Sequence, residues 1–179
     1  MKKIYFISGV CGVGKTTLIP HLKKVLPNEQ YDIRDFDERG VPAGADHAWR
    51  KSEVKNWLSI GTTSAQKDLS TIICGFVKKE DFEGLIELET PEIKLVLLDA
   101  DPEIIRKRLI GRYSVDGIFD ENKKVCGNPV NEFIENNVTY CKTMREECEK
   151  AGYEIIDTST MQPNEVAEKV IDIVLDNVN

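Results

Sequence analysis

Apolar residues follow two rhythms along this chain. Short continuous runs at Lys3–Ser8 and at residues 30–34, 70–75, 93–100 and 153–157 are rich in β-branched and aromatic residues. Runs of that kind read as strands buried on both faces. Between them, apolar residues recur at spacings of three and four, the period of a helix with one buried face. Residues 14–26 carry Leu18, Leu22, Val25 and Leu26 on such a stripe, with Pro20 expected to kink or disturb the second turn. Asp46 is placed to cap a helix bearing His47, Trp49, Arg50, Val54, Trp57, Leu58 and Ile60. Gly61 and the Thr62-Thr63-Ser64 run are expected to end or break it, with residues 65–69 a candidate continuation. A short helix is expected around residues 81–87. Asp101-Pro102 starts a further helix carrying Ile105, Arg106, Arg108, Leu109 and Arg112. The stretch 113–129 is polar and without a period, and reads as a loop of lid-like length. The helix Val130–Ala151 is expected to bury Phe133, Tyr140, Met144 and Cys148 and to stop at Gly152. Pro163 opens the last helix, with Val166, Val170, Ile173, Val174 and Val178 on its stripe.

Strands alternating with helices predict a three-layer α/β/α fold: a five-stranded parallel sheet with helices on both faces. The 179 residues suit one such domain, and no repeat or linker divides them. Ligands of open parallel sheets sit at the carboxyl ends of the strands. Asp35, Gly75, Asp99 and Asp157 all fall at or just beyond such an end.

The first strand runs straight into Gly9-Val10-Cys11-Gly12-Val13-Gly14-Lys15-Thr16-Thr17. Gly9, Gly14, Lys15 and Thr16 fill the G-x-x-x-x-G-K-[ST] pattern of a phosphate-binding loop. Backbone N–H groups left free at a helix N-terminus converge there on phosphate oxygens. Glycines let that backbone approach the anion without a Cβ in the way. Lys15 can reach the β- and γ-phosphates, and the Thr16 hydroxyl can ligate Mg²⁺. The glycine order does not suit a dinucleotide loop, so the chain is expected to bind a nucleoside triphosphate.

Charge narrows the partners. Asp and Glu outnumber Lys and Arg by 31 to 24, a net charge of −7, which disfavours non-specific nucleic-acid binding. No apolar run is long enough to span a membrane. The five cysteines, at 11, 74, 126, 141 and 148, have no metal-site spacing, and fit reduced thiols in a cytoplasmic enzyme. Cys11, inside the phosphate loop, is expected to be sensitive to oxidation.

Phosphoryl transfer needs an oxygen ligand for Mg²⁺ and a group that orients or deprotonates the attacking hydroxyl. Asp35 and Asp37, read as i and i+2 of an extended chain, point to the same side and can serve one need each. Here the chain resembles shikimate kinase and its relatives, where an Asp-x-Asp follows the second strand. The resemblance implies that Asp35 lies towards magnesium and Asp37 towards the acceptor. Arg108 and Arg112, one helical turn apart, lie on one flank of the helix that enters the lid. The run Arg108-Leu109-Ile110-Gly111-Arg112 is similar to the R-I-x-G-R that opens the lid of adenylate kinases. That similarity implies an adenine contact for Arg108 and a phosphate contact for Arg112, with Arg106 on another flank. Gly75-Phe76 resembles part of the D-G-F-P-R run of the same family, but Cys74, Val77 and Lys78 replace its acid, proline and arginine. Thr158-Ser159-Thr160 falls where such relatives contact adenine.

The expectation is a small P-loop kinase of the adenylate kinase and shikimate kinase-like superfamily, using ATP and Mg²⁺. Lys15, Asp37 and Arg112 are the expected catalytic residues, with Thr16 and Asp35 on the metal. The acceptor segment spans about 38–69 and the lid about 112–129. Arg39, Trp49 and Arg50, with Asp37, Gly75 and Lys78, are the expected acceptor contacts. The acceptor is a small molecule, a nucleoside or nucleotide before a shikimate- or gluconate-like hydroxy compound. A P-loop switch or motor ATPase is the rival from another class, and the chain lacks the guanine-reading and hydrophobic-Asp-Glu motifs of such proteins.

Overall fold

The computed structural model describes residues 2–85 and 90–175. The chain runs β1 (Lys3–Ser8), α1 (Lys15–Val25), β2 (Tyr31–Asp35), a 3₁₀ turn (Phe36–Arg39), α2 (His47–Gln66) and β3 (Ser70–Cys74). A second 3₁₀ turn (Lys79–Phe82) leads to β4 (Glu92–Asp99) and α3 (Pro102–Tyr113). Four two-residue strands follow: β5 (Ser114–Val115), β6 (Ile118–Phe119), β7 (Lys124–Val125) and β8 (Asn128–Pro129). Then come α4 (Val130–Ala151), β9 (Glu154–Asp157) and α5 (Pro163–Val174).

The five long strands form one parallel sheet in the order β2-β3-β1-β4-β9. β1 is therefore central, and the glycine loop leaves the sheet between β3 and β4. Register levels the strand ends: Ile7 and Asp35 both pair with Cys74, and Asp99 pairs with Asp157. Alternation along β1 divides the interior. Tyr5 and Ile7 join Leu18 and Leu22 of α1 and Val170 of α5, while Ile4 and Phe6 join Val54 and Trp57 of α2. Helices thus cover both faces, as the α/β pattern predicts.

Several local expectations change. α2 does not stop at Gly61 but continues to Gln66. A Cβ at Gly61 would lie 2.5 Å from Ile4 Cδ1, so this glycine lets helix and sheet approach rather than breaking the helix. α1 runs unbroken through Pro20, whose ring is exposed, and Val25 is 60% exposed rather than on the buried stripe. Between β3 and β4, the segment expected as a helix over 81–87 overlaps the 3₁₀ turn Lys79–Phe82 only at its first two residues, and residues 86 and 87 lie outside the described residues. Val178 of the last stripe lies outside them too, and Ile173 is half-buried.

The boundaries of α4 match the sequence, but its buried stripe is rotated. Val130, Ile134, Val138, Cys141, Met144 and Cys148 face the core. Phe133 and Tyr140 are half-buried because they line a cavity instead. The presumed lid loop contains two hairpins, β5–β6 and β7–β8. Each turns on two residues of positive φ: Asp116 (50°) with Gly117 (78°), and Cys126 (51°) with Gly127 (86°). Paired positive φ is the turn that matches the twist of two antiparallel strands.

Candidate active site

Gly9, Gly12 and Gly14 take φ of 151°, 93° and 105°. A Cβ at Gly9 would lie 2.3 Å from the Leu98 carbonyl oxygen and 2.8 Å from Val13 Cγ2, so only glycine fits against β4. Gly14 caps α1 with no side-chain bond, and the first turn holds no acid. Its amides are therefore free of local competition for an anion. Lys15 Nζ donates to the carbonyls of Gly9 (2.7 Å) and Val10 (2.8 Å), folded back over the loop. Burial holds this amine below the ordinary lysine value, with the nearby charges of Cys11 and Asp37 opposing. Thr16 and Thr17 are exposed on the first turn of α1.

One side of the loop opens into a cavity of about 440 Å³ lined by Gly12, Thr17, Arg108, Arg112 and the 158–163 segment. Arg108 spans its base, donating from Nη1 to the Gly12 carbonyl (3.3 Å) and Thr158 Oγ1 (3.1 Å), and from Nη2 to the Thr158 carbonyl (2.7 Å). Thr158 Oγ1 in turn donates to the Val13 carbonyl (3.1 Å). Arg112 is exposed at the rim, near enough that its charge helps to depress Lys15. Arg106 is engaged elsewhere, in a two-toothed contact with Glu135 (2.8 and 2.7 Å) that ties α3 to α4.

A second cavity, about 660 Å³, lies on the other side of the loop. Asp37, Trp49 and Arg50 face it, with Phe36, Phe76, Phe133 and Tyr140 supplying aromatic walls. Asp35 and Asp37 are not in extended chain, as the i, i+2 reading supposed. The backbone turns at Asp35, whose Oδ1 accepts from the Asp37 amide (2.9 Å) and caps the 3₁₀ turn. The two carboxylates still sense each other. Burial first, and then the charge of Asp35, push Asp37 above the usual carboxylate value, against the pull of Lys15.

The other expected acceptor contacts have different partners. Arg39 Nε pairs with Glu53 (2.7 Å), and Lys78 lies over the Tyr140 ring (4.4 Å) and pairs with Glu80 (3.3 Å). Neither lines the cavity. Gly75 shapes it from behind, because a Cβ there would lie 2.0 Å from Phe36 Cβ. Cys74, beside Asp35 in register, is pushed up to about 12 by burial and stays a neutral thiol. The carboxylate at this level of the sheet therefore stands on β2.

Reasoning from sequence missed the α4 contribution. Asn137 Oδ1 accepts from the Cys11 amide (2.9 Å), and Phe133, Asn137 and Tyr140 share one helical face. Their spacing of four and three was the available signal. Asp99 and Asp157, at strand ends, do not face either cavity. Arg145 of α4 bonds Asp99 and reaches Asp157 (3.7 Å), so both serve to fix α4 to the sheet.

No family model and no curated protein matches the sequence. Solved structures do match along nearly the whole chain. A protein called APE1195 has a TM-score of 0.62 at 16% identity, covering 98% of this chain and 96% of its own. The shikimate kinase of Acinetobacter baumannii, in complex with shikimate, has 0.59 at 17%, covering 99% and 94%. An unliganded sugar kinase of Janibacter sp. has 0.59 at 17%, covering 98% and 95%. The chain has a P-loop kinase fold. Both cavities border the glycine loop, Gly12, Val13 and Gly14 lining the first and Cys11 the second, and Lys15 feels the charge of Asp37 in the second. The hydroxyl of Thr16 and the carboxylates of Asp35 and Asp37 are hard oxygen donors, a set that fits Mg²⁺. No described helix is long and apolar enough to cross a membrane.

Proposed function

We propose that this protein is an ATP- and Mg²⁺-dependent kinase that transfers a γ-phosphoryl group to a nucleoside or nucleotide. One observation carries the reading: two separate cavities, one floored by Arg108 and the other walled by aromatic rings, border the same glycine loop, and Asp37 of the second lies close enough to Lys15 of that loop for their charges to interact. The loop amides and Lys15 hold the triphosphate, and Arg108 and the 158–163 segment border the base. The acceptor oxygen attacks the γ-phosphorus as the bond to the β-phosphate oxygen breaks, and Asp37 takes the hydroxyl proton. Its raised affinity for a proton suits that role. Lys15 and Arg112 stabilise the charge that spreads over the transferring group. Mg²⁺, held by Thr16 and Asp35, would neutralise phosphate charge. The hairpins of 114–129 close over the reacting groups and exclude water.

The test is ADP release with and without a library of acceptors. Release that depends on one acceptor supports a kinase, and equal release without any acceptor supports an ATPase instead. A second reading, a non-nucleotide hydroxy compound as acceptor, is favoured by the names of two of the matched structures, a shikimate kinase and a sugar kinase. Shikimate and gluconate belong in the same library.

A further inference from the structure

The acceptor cavity is poor in usable positive charge, and a buried carboxylate is the reason. Arg50 is the one strongly basic group among the described residues lining it. Its Nε donates to Asp81 Oδ2 (2.7 Å), and Asp81 is fully buried. The same oxygen accepts from the Lys78 amide (2.7 Å), which locks Asp81 into the turn after β3. His47 Nδ1 stands 3.1 Å from Asp81 Oδ1. The guanidinium also lies 5.1 Å from the centre of the Phe76 ring, so one of its faces is spent on an aromatic wall. Lys78, the other cation that could reach an anion here, is turned onto Tyr140 and Glu80. Against this, Asp37 and Asp46 both line the cavity. His47, Glu80 and Asp81 also approach one another closely enough to hold a cation, but Arg50 and Lys78 already neutralise that group.

A phosphate or carboxylate on the acceptor would meet a cation already matched by Asp81 and two further carboxylates of its own sign. A flat neutral ring meets Phe36, Trp49, Phe76, Phe133 and Tyr140, and the remaining N–H groups of Arg50 can donate to its ring nitrogen or carbonyl. We propose that Asp81, by cancelling the charge of Arg50, makes the acceptor an uncharged ring-bearing alcohol, a nucleoside and not a nucleoside monophosphate or hydroxy acid. Asp81 is a positioning and charge-setting residue that touches no substrate. The proposal rests on the kinase reading for which cavity holds the acceptor, but its test can be read without turnover.

The experiment is calorimetric titration of the whole protein with adenosine, cytidine and thymidine, their 5′-monophosphates, and shikimate. The expected result is at least tenfold tighter binding of one nucleoside than of its monophosphate or of shikimate. Asp81→Asn, which leaves the Arg50 charge unmatched, should narrow or reverse that order by at least tenfold, and Arg50→Gln in the same background should cancel the change. Tighter binding of a monophosphate or of shikimate to the wild type overturns the proposal, as does binding of no member. An unchanged order in a folded Asp81→Asn protein overturns the role of Asp81. ADP release is read separately: a nucleoside that binds selectively but drives no release refutes the kinase reading and leaves the neutral selection standing.

Discussion

Gly75→Ala asks whether the turn that carries Asp37 is held where phosphoryl transfer needs it. Gly75 has no positive φ, so alanine is conformationally acceptable and the perturbation is purely steric. The new Cβ would lie 2.0 Å from Phe36 Cβ and 2.7 Å from Cγ. Real Cβ contacts begin near 3.0 Å, so Phe36 must retreat by about 1 Å. It has little room, being 1% exposed, with its carbonyl accepting from Trp57 Nε1 (3.2 Å) and its ring edge-on to Trp49. Overpacking of this kind costs about 1–3 kcal/mol. In a chain of this length that lowers Tm by about 2–12 °C. Asp37 is the next residue, and a misplacement of about 1 Å at a reacting group costs roughly 100-fold in turnover. Thermal unfolding, acceptor-dependent ADP release and Mg-ATP calorimetry together make the assay. Tm and turnover should both fall while ATP affinity holds, since Gly75 is absent from the lining of the cavity floored by Arg108, which is proposed to take the nucleotide. Wild-type Tm with wild-type turnover would refute the packing argument.

Other outcomes follow from single groups. Asp37 has a raised proton affinity, so activity should fall on the acid side at a pH above the ordinary carboxylate value of 3.8. A pH–rate profile of Asp37→Asn, slow throughout, should lack that limb. Arg145→Leu removes the charged partner of Asp99, which is 2% exposed, and should cost about 1–3 kcal/mol at neutral pH in denaturant unfolding. Asp99 already sits above the usual carboxylate value through burial, and losing Arg145 raises it further. Penalised only when charged, it should show a deficit that shrinks as pH falls through that raised value. Alkylation followed by mass mapping should modify exposed Cys126 first and Cys11 next, with buried Cys74, pushed up to about 12, last. Mg-ATP should slow the Cys11 reaction, and an unchanged rate would count against its place in the triphosphate cradle.

The sheet was legible in the sequence because parallel strands buried on both faces are continuous apolar runs. β1 and α4 begin and end where the pattern says they do. The tight loop between β1 and α1 was legible because its glycines take positive φ and Gly9 lies too close to β4 for any side chain. Glycine elsewhere was ambiguous. Gly61 looked like a break and is a contact with Ile4, a distinction that depends on a strand far away in sequence. The two hairpins of residues 114–129 hid because their strands are two residues long, too short for alternation, although Asp116-Gly117 between Val115 and Ile118 is a hairpin signature. Arg39, Arg50 and Lys78 looked like free cations, and each has a partner: Glu53, Asp81 and Glu80. Which charge is already matched is a tertiary fact that residue type cannot reveal. The same holds for Asp99 and Asp157, whose partner Arg145 comes from α4.

Titrating the protein with ATP in the presence and absence of magnesium goes most directly to the centre of the account. A single saturable site, weakened by chelating the metal and lost in Gly9→Ala where a Cβ meets the Leu98 carbonyl, is the predicted result. No magnesium-dependent heat at any ATP concentration would contradict it.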